Sequence, residues 1–144
     1  MEKRMGKLDL ALQEIPSEWQ YELIGPREAE ISVVGWGSTR GPIIDALHVL
    51  ETDHKISANF LQIKMLRPFP DKAVRDFLDT AKRAVVLEDN YMGQLGLLVA
   101  EQTGIKLHRQ ALKYDGRPFS QDEVVEALSA HHTSDAGRLV LSHP

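Results

Sequence analysis

The sequence predicts an α/β domain of three layers, helix on sheet on helix, around a mostly parallel sheet of about five strands. Two short runs, ISVVGW at 31 to 36 and AVVLE at 84 to 88, are almost continuously apolar. That is the pattern of strands covered on both faces, where alternation of apolar and polar residues is lost. Segments of helical period separate the runs, and strand–helix units repeated in this way build a parallel sheet because their crossovers are right-handed. A length of 144 residues fits one domain with short extensions at its ends.

The elements follow in order. Met5, Leu8, Leu12 and Ile15 recur at helical spacing and Pro16 stops them, which predicts an amphipathic helix over 5 to 15 outside the main rhythm. WQYELIG at 19 to 25, closed by Gly25-Pro26, reads as an edge strand and turn. After the first buried strand, Gly41-Pro42 opens a helix with Ile43, Ile44, Leu47 and Leu50 on one face. ISANFLQIKM at 56 to 65 is the next strand, ended by Arg67-Pro68-Phe69-Pro70. A helix marked by Val74, Phe77, Leu78 and Ala81 follows, with Asp71 placed to cap it. Beyond AVVLE, a helix from about Met92 to Thr103 ends at Gly104, a residue type suited to a C-cap. IKLHRQAL at 105 to 112 is a more polar strand, and Ser120 with Glu123 forms a capping box for a last helix carrying Val124, Val125 and Leu128. Residues 133 to 144 read as a tail, so the division is 1–18 linker helix, 19–132 domain and 133–144 tail.

Composition excludes whole classes of function. The chain has no cysteine, so disulfides, thiolate metal sites, cysteine-held clusters and cysteine nucleophiles are absent from it. Seventeen basic against twenty-one acidic residues leave a net charge of −4, the wrong balance for a general nucleic-acid binder. No stretch is long and apolar enough to span a membrane, and MEKRMGKLDLAL has no signal-peptide core. The expectation is a cytoplasmic domain with neither nucleic acid nor membrane among its partners.

Besides Arg67-Pro68, three loops carry polar residues where strands end. Gly35-Trp36-Gly37-Ser38-Thr39-Arg40-Gly41 lies between strand and helix, where phosphates meet helix N-termini, but its third glycine is one place late. It suits either an NADP-type nucleotide, with Lys64 or Arg67 on a 2′-phosphate, or a tight turn of small residues in which Ser38 caps the helix. Glu88-Asp89-Asn90-Tyr91 ends a buried strand, and its carboxylates suit acid–base chemistry or, through Asp89 or Asn90, helix capping. Lys113-Tyr114-Asp115-Gly116-Arg117 suits a phosphate, a partner's carboxylate or a plain turn. His48 and Glu51, three apart on a helix, lack a third ligand, and His54, His108, His131, His132 and His143 have no ligand spacing, so no metal site is expected.

Taken together, GWGSTRGPIIDAL, LQIKMLRPFP, VVLEDNYMGQLGLLVAEQTGIKL and LKYDGRPFS resemble, in order and spacing, the C-terminal domain of the α chain of 2-oxoacid:ferredoxin oxidoreductases. That domain is similar to the C-terminal domain of transketolase. The likeness covers about residues 19 to 128, and EDNYMGQL with KYDGRPF looks more like the branch acting on 2-oxoglutarate or mixed 2-oxoacids. The resemblance implies an enzyme that decarboxylates a 2-oxoacid oxidatively on thiamine diphosphate, passes electrons through iron–sulfur clusters to ferredoxin and releases an acyl-CoA. It also implies that the chemistry sits elsewhere. The family's YPITP-type segment and a G-D-G followed by a magnesium-binding Asn are missing here, and no cluster can be held without cysteine. No cofactor is therefore expected on this chain, with thiamine diphosphate, magnesium and the iron–sulfur cluster in the rest of the complex. The implied role is non-catalytic assembly against the thiamine-binding domain of the same α chain and the β subunit, with ferredoxin an indirect partner. Carried over by position, the interface or coenzyme A contacts are Gly37, Ser38 and Thr39, then Arg67 and Pro68, then Asn90, Gly93 and Gln94, then Lys113, Tyr114 and Arg117. The helix at 5 to 15 is then a linker whose apolar face is partly orphaned. The alternative is a nucleotide-binding α/β domain using the Gly35 to Gly41 loop.

Overall fold

A computed structural model describes residues 2–141. The chain runs α1 (Glu2–Glu14), α2 (Ser17–Gln20), β1 (Tyr21–Ile24), β2 (Ile31–Trp36), a 3-10 turn (Gly37–Thr39), α3 (Arg40–Asp53), β3 (Ala58–Ile63) and α4 (Asp71–Thr80). It continues through β4 (Ala84–Glu88), α5 (Gln94–Thr103), β5 (Arg109–Lys113) and α6 (Gln121–Thr133) to β6 (Arg138–Leu141). The sheet order is β1-β3-β2-β4-β5-β6, with β1 antiparallel to β3 and the other pairs parallel.

The buried strands divide their side chains between two cores, as residues alternating across a pleated sheet must. Val33, Phe60 and Val85 face α3 and α6, joined there by Ile43, Leu50, Val124 and Leu128. Val34, Leu61 and Val86 face α4 and α5, where Val74, Phe77, Leu95 and Val99 meet them. This is the three-layer architecture expected, with six strands in place of five.

The sixth strand comes from the segment read as a tail. Arg138 to Leu141 pair in parallel with Gln110 to Lys113, and Leu141 packs against the α3/α6 core. Only His143 and its neighbours at 142–144 lie outside the described residues there. Three other boundaries move for local reasons. Ser17–Gln20 is a helical turn, because the Gln20 amide donates to the carbonyls of Leu12 (3.0 Å) and Ile15 (2.7 Å) and ties α1 down before β1 begins. β3 is shorter than 56 to 65, since Ile56 N–H goes to the Leu50 carbonyl while Lys64 and Met65 N–H both go to Gln20. β5 starts at Arg109 because Leu107 and Ile105 are used as wedges in the α4/α5 core.

The capping box of α6 forms as expected: Ser120 Oγ accepts from Glu123 N–H at 3.2 Å and Glu123 returns a bond to Ser120 N–H at 2.8 Å. Asp71 does not cap α4; it is the first helical residue, behind Pro70, and no side chain caps that end. α5 begins at Gln94 instead of Met92, and ends at Gly104, whose φ of +75° is the left-handed C-cap conformation.

Candidate functional site

The chain leaves β2 through α3 on one face of the sheet and leaves β4 through α5 on the other. Because β2 and β4 are neighbours, the loops following them diverge, and such a switch point at the C-terminal ends of strands is where an open α/β sheet forms its crevice. Two adjoining clefts lie there. One, of about 260 Å³, is lined by Trp36, Gly37, Ser38, Thr39, Asp89, Asn90 and Gln94. The other, of about 540 Å³, adds Tyr91, Lys113, Tyr114 and Arg117 to the shared Ser38, Asp89 and Asn90.

Each loop is held by its own local bonds. After β2, Thr39 Oγ1 donates to the Trp36 carbonyl at 2.8 Å and closes the 3-10 turn. No side chain caps α3, and the exposed Ser38 hydroxyl turns instead to Asp89 Oδ2 at 3.3 Å. After β4, the capping role falls mainly to Glu88. Its fully buried carboxylate accepts from Leu95 N–H (2.6 Å), Gly96 N–H (3.1 Å) and the Asn90 amide (2.8 Å), which places a negative charge at the positive end of α5. Asn90 Oδ1 accepts in turn from Gly93 N–H at 2.7 Å and Gln94 N–H at 3.3 Å. Gly93 has φ +67°, a conformation that calls for glycine, and a Cβ there would also press on the Gln110 side-chain amide at 3.3 Å.

After β5, Lys113 is buried and its ammonium is enclosed by Glu123 Oε1 (2.9 Å), Glu123 Oε2 (2.8 Å) and the Pro118 carbonyl (2.9 Å). Burial pushes the Glu123 carboxyl up, but the Lys113 ammonium and the Ser120 N–H outweigh it and hold the group below the usual carboxylate range. Arg117 folds back on Asp115, through its N–H at 3.0 Å and its guanidinium at 3.4 Å. Asp89 differs. Partial desolvation raises its pKa, the Ser38 hydroxyl and Lys113 oppose the rise, and Asp115 and Glu123 add to it.

The rim is aromatic. Trp36, Tyr91, Met92 and Tyr114 are exposed, and Tyr91 and Tyr114 meet edge to face with ring centroids 5.0 Å apart. The Arg138 guanidinium lies 4.7 Å from the Tyr91 ring centre and its Nη2 donates to the Tyr91 carbonyl, so β6 clamps this loop from the side. The fold thus unites Gly37, Ser38, Thr39, Asn90, Gln94, Lys113, Tyr114 and Arg117, with Gly93 supporting them from beneath. Arg67 and Pro68 lie elsewhere, in a cleft of about 200 Å³ under Met5, Leu8 and Leu12 of α1. Asp89 was open to sequence reasoning as an acid–base carboxylate or a helix cap, and Trp36 and Tyr91 only as parts of their motifs. Their shared exposure at one edge follows from strand order, which no local pattern displays.

A thiolate-held iron–sulfur cluster does not suit this donor set. The chain has no cysteine, and among the described residues no three of His, Asp and Glu converge on one point. Among them, too, no helix is long and apolar enough to cross a membrane.

Residues 29–124 match the family model for the pyruvate:ferredoxin oxidoreductase core domain II. The 2-oxoacid:ferredoxin oxidoreductase subunit alpha of Saccharolobus solfataricus is 36% identical over 140 residues, which are 97% of this chain and 22% of that one. The chain therefore spans about a fifth of the length of the curated relatives it matches. Among solved structures, the 2-oxoglutarate:ferredoxin oxidoreductase from Magnetococcus marinus, with 2-oxoglutarate, coenzyme A and succinyl-CoA bound, superposes with a TM-score of 0.80 at 27% identity. That superposition covers 90% of this chain and 22% of the other. The alpha chain of a probable 2-oxoacid ferredoxin oxidoreductase from Thermoplasma acidophilum matches at 36% identity and TM-score 0.57, over 80% of this chain and 98% of that shorter one. A split-gene transketolase shares the fold at 20% identity and TM-score 0.61, over 81% of this chain and 42% of its own.

Proposed function

The chain belongs to the pyruvate:ferredoxin oxidoreductase core domain II family, and from that premise we propose that it is a non-catalytic assembly domain in the α part of a 2-oxoacid:ferredoxin oxidoreductase. In this reading thiamine diphosphate, magnesium and the iron–sulfur cluster belong to other domains and subunits of a cytoplasmic complex. The C-terminal sheet edge packs on the thiamine-binding domain and the β subunit, and ferredoxin is met only indirectly.

The observation that supports the reading is the rim of Trp36, Tyr91, Met92 and Tyr114, all exposed on one edge. A protein gains nothing by solvating three aromatic rings and a methionine together, whereas protein interfaces are enriched in these residue types. The one carboxylate that lines both clefts is Asp89, a group that suits a partner's cation better than a phosphate. A nucleotide or coenzyme A phosphate at the Ser38 turn would face Asp89, and the start of α5 is already filled by Glu88. Ser38, Asn90, Gln94, Tyr114 and Arg117 are the proposed contacts, with Gly37, Thr39, Gly93 and Lys113 shaping the loops that present them. α1, none of whose residues is buried, is the proposed linker, with Arg67 and Pro68 beneath it.

The test has two arms. The pure chain, given thiamine diphosphate, magnesium, a 2-oxoacid and ferredoxin, is expected to show no turnover, and turnover would overturn the reading. In the assembled oxidoreductase, Trp36→Ala with Tyr114→Ala is expected to loosen the association of this domain with the remainder, measured by sedimentation.

A further inference from the structure

Asp89 stands at the wall shared by both clefts, and it is the charge of this edge whose pairing is left incomplete. Lys113 is enclosed by Glu123 and Pro118, Arg117 is engaged with Asp115, Glu88 is bound to the start of α5, and Arg138 lies on Tyr91. Asp89 is an exposed residue; its carboxylate accepts one long bond, 3.3 Å, from Ser38, and among the described residues it takes part in no ion pair. It is flanked by Trp36 in one cleft and by Tyr91 and Tyr114 in the other. A carboxylate in clefts whose lining includes aromatic side chains is complementary to a planar cation with an apolar stem, which bonds the oxygens in bidentate fashion and can pack its stem on the exposed Trp36 and Tyr114.

We propose that Asp89 is the anchor of this interface and receives an arginine side chain from the protein surface that packs on the sheet edge. The proposal rests on the assembly reading and adds to it the chemistry of the contact. The raised pKa of Asp89, caused first by partial desolvation and only partly offset by the Ser38 hydroxyl and Lys113, agrees with a carboxylate that has no direct ion pair until the partner arrives. A phosphate-bearing ligand would be repelled at the same point.

The experiment uses the assembled oxidoreductase carrying this sequence. Asp89→Asn keeps the shape and removes the charge, and is expected to weaken the association of this domain roughly tenfold or more and to flatten its dependence on salt. Asp89→Glu is expected to restore most of the loss. Phenylglyoxal treatment of the partner, which blocks guanidinium groups, is expected to lower wild-type association to the Asp89→Asn level without weakening Asp89→Asn further. Amine acetylation with that effect, and none from phenylglyoxal, would overturn the arginine. An Asp89→Asn affinity within twofold of wild type overturns the anchor. If Trp36→Ala still weakens association then, the assembly reading stands without it; if neither does, both fall. Melting of the isolated domain, expected to agree within about 1 °C between Asp89→Asn and wild type, controls for folding.

Discussion

At the scale of single residues, four buried polar side chains fix the loops and the α6–β5 packing. Glu88 is the strongest case, because removing it orphans two N–H groups at the start of α5 in a site no water reaches. Glu88→Ala is expected to cost about 2–5 kcal/mol and to lower the melting temperature by roughly 10 °C. The Lys113–Glu123 pair behaves differently when broken than when replaced. Lys113→Met leaves a buried carboxylate without its cation and is expected to cost about 3–5 kcal/mol, while Lys113→Met with Glu123→Leu should recover much of that, as a double-mutant cycle in urea will show. His131 is fully buried, with Nε2 at 3.3 Å from the Gln110 carbonyl, and burial holds its pKa below the ordinary 6.5. The unfolded chain therefore takes up a proton near that pH that the folded chain refuses. This contribution to stability is complete above pH 6.5 and declines as pH falls below it. His131→Gln should remove that decline, read as a smaller difference in urea midpoint between pH 5.5 and 7.5. Sequence reasoning assigned none of these roles to Glu88 or His131, since a carboxylate at a strand end and a histidine on a helix look alike whether solvated or enclosed.

At the scale of elements, the two ends of the chain are attached with unequal strength. α1 has no buried residue and is held through Gln20 and the partly covered Leu8 and Leu12, so removal of residues 1–15 is expected to cost at most about 2 kcal/mol in the isolated domain. β6 is built in. Gln110 N–H bonds to the Gly137 carbonyl at 2.7 Å, Arg138 clamps Tyr91, and Leu141 reaches the core. Truncation after Ser134 should therefore lower the melting temperature by several degrees more than loss of α1, measured by calorimetry. Runs such as ISVVGW and AVVLE were legible because burial on both faces writes itself into every residue. The strand RLVL was not, because four residues on an edge, half of them exposed, carry no such mark.

At the scale of the whole molecule, parallel order and two-sided helix packing were readable from the alternation of strand and helix, and the family from four motif blocks. The edge that unites the first, third and fourth loops, and sets Arg67 and Pro68 apart, depends on β2 lying between β3 and β4, an order that strand sequence alone does not encode. The same layout yields a simple check on nucleotide binding. Millimolar NADPH is expected to move the melting temperature by less than about 1 °C, and a shift of several degrees would revive the nucleotide alternative. Domains of this architecture ordinarily offer the start of the helix beyond the switch-point strand to whatever phosphate the solution supplies. With Glu88 seated there, the Leu95 and Gly96 N–H groups are already answered by a carboxylate of the same chain, so this helix end keeps its shape without borrowing an anion from solution.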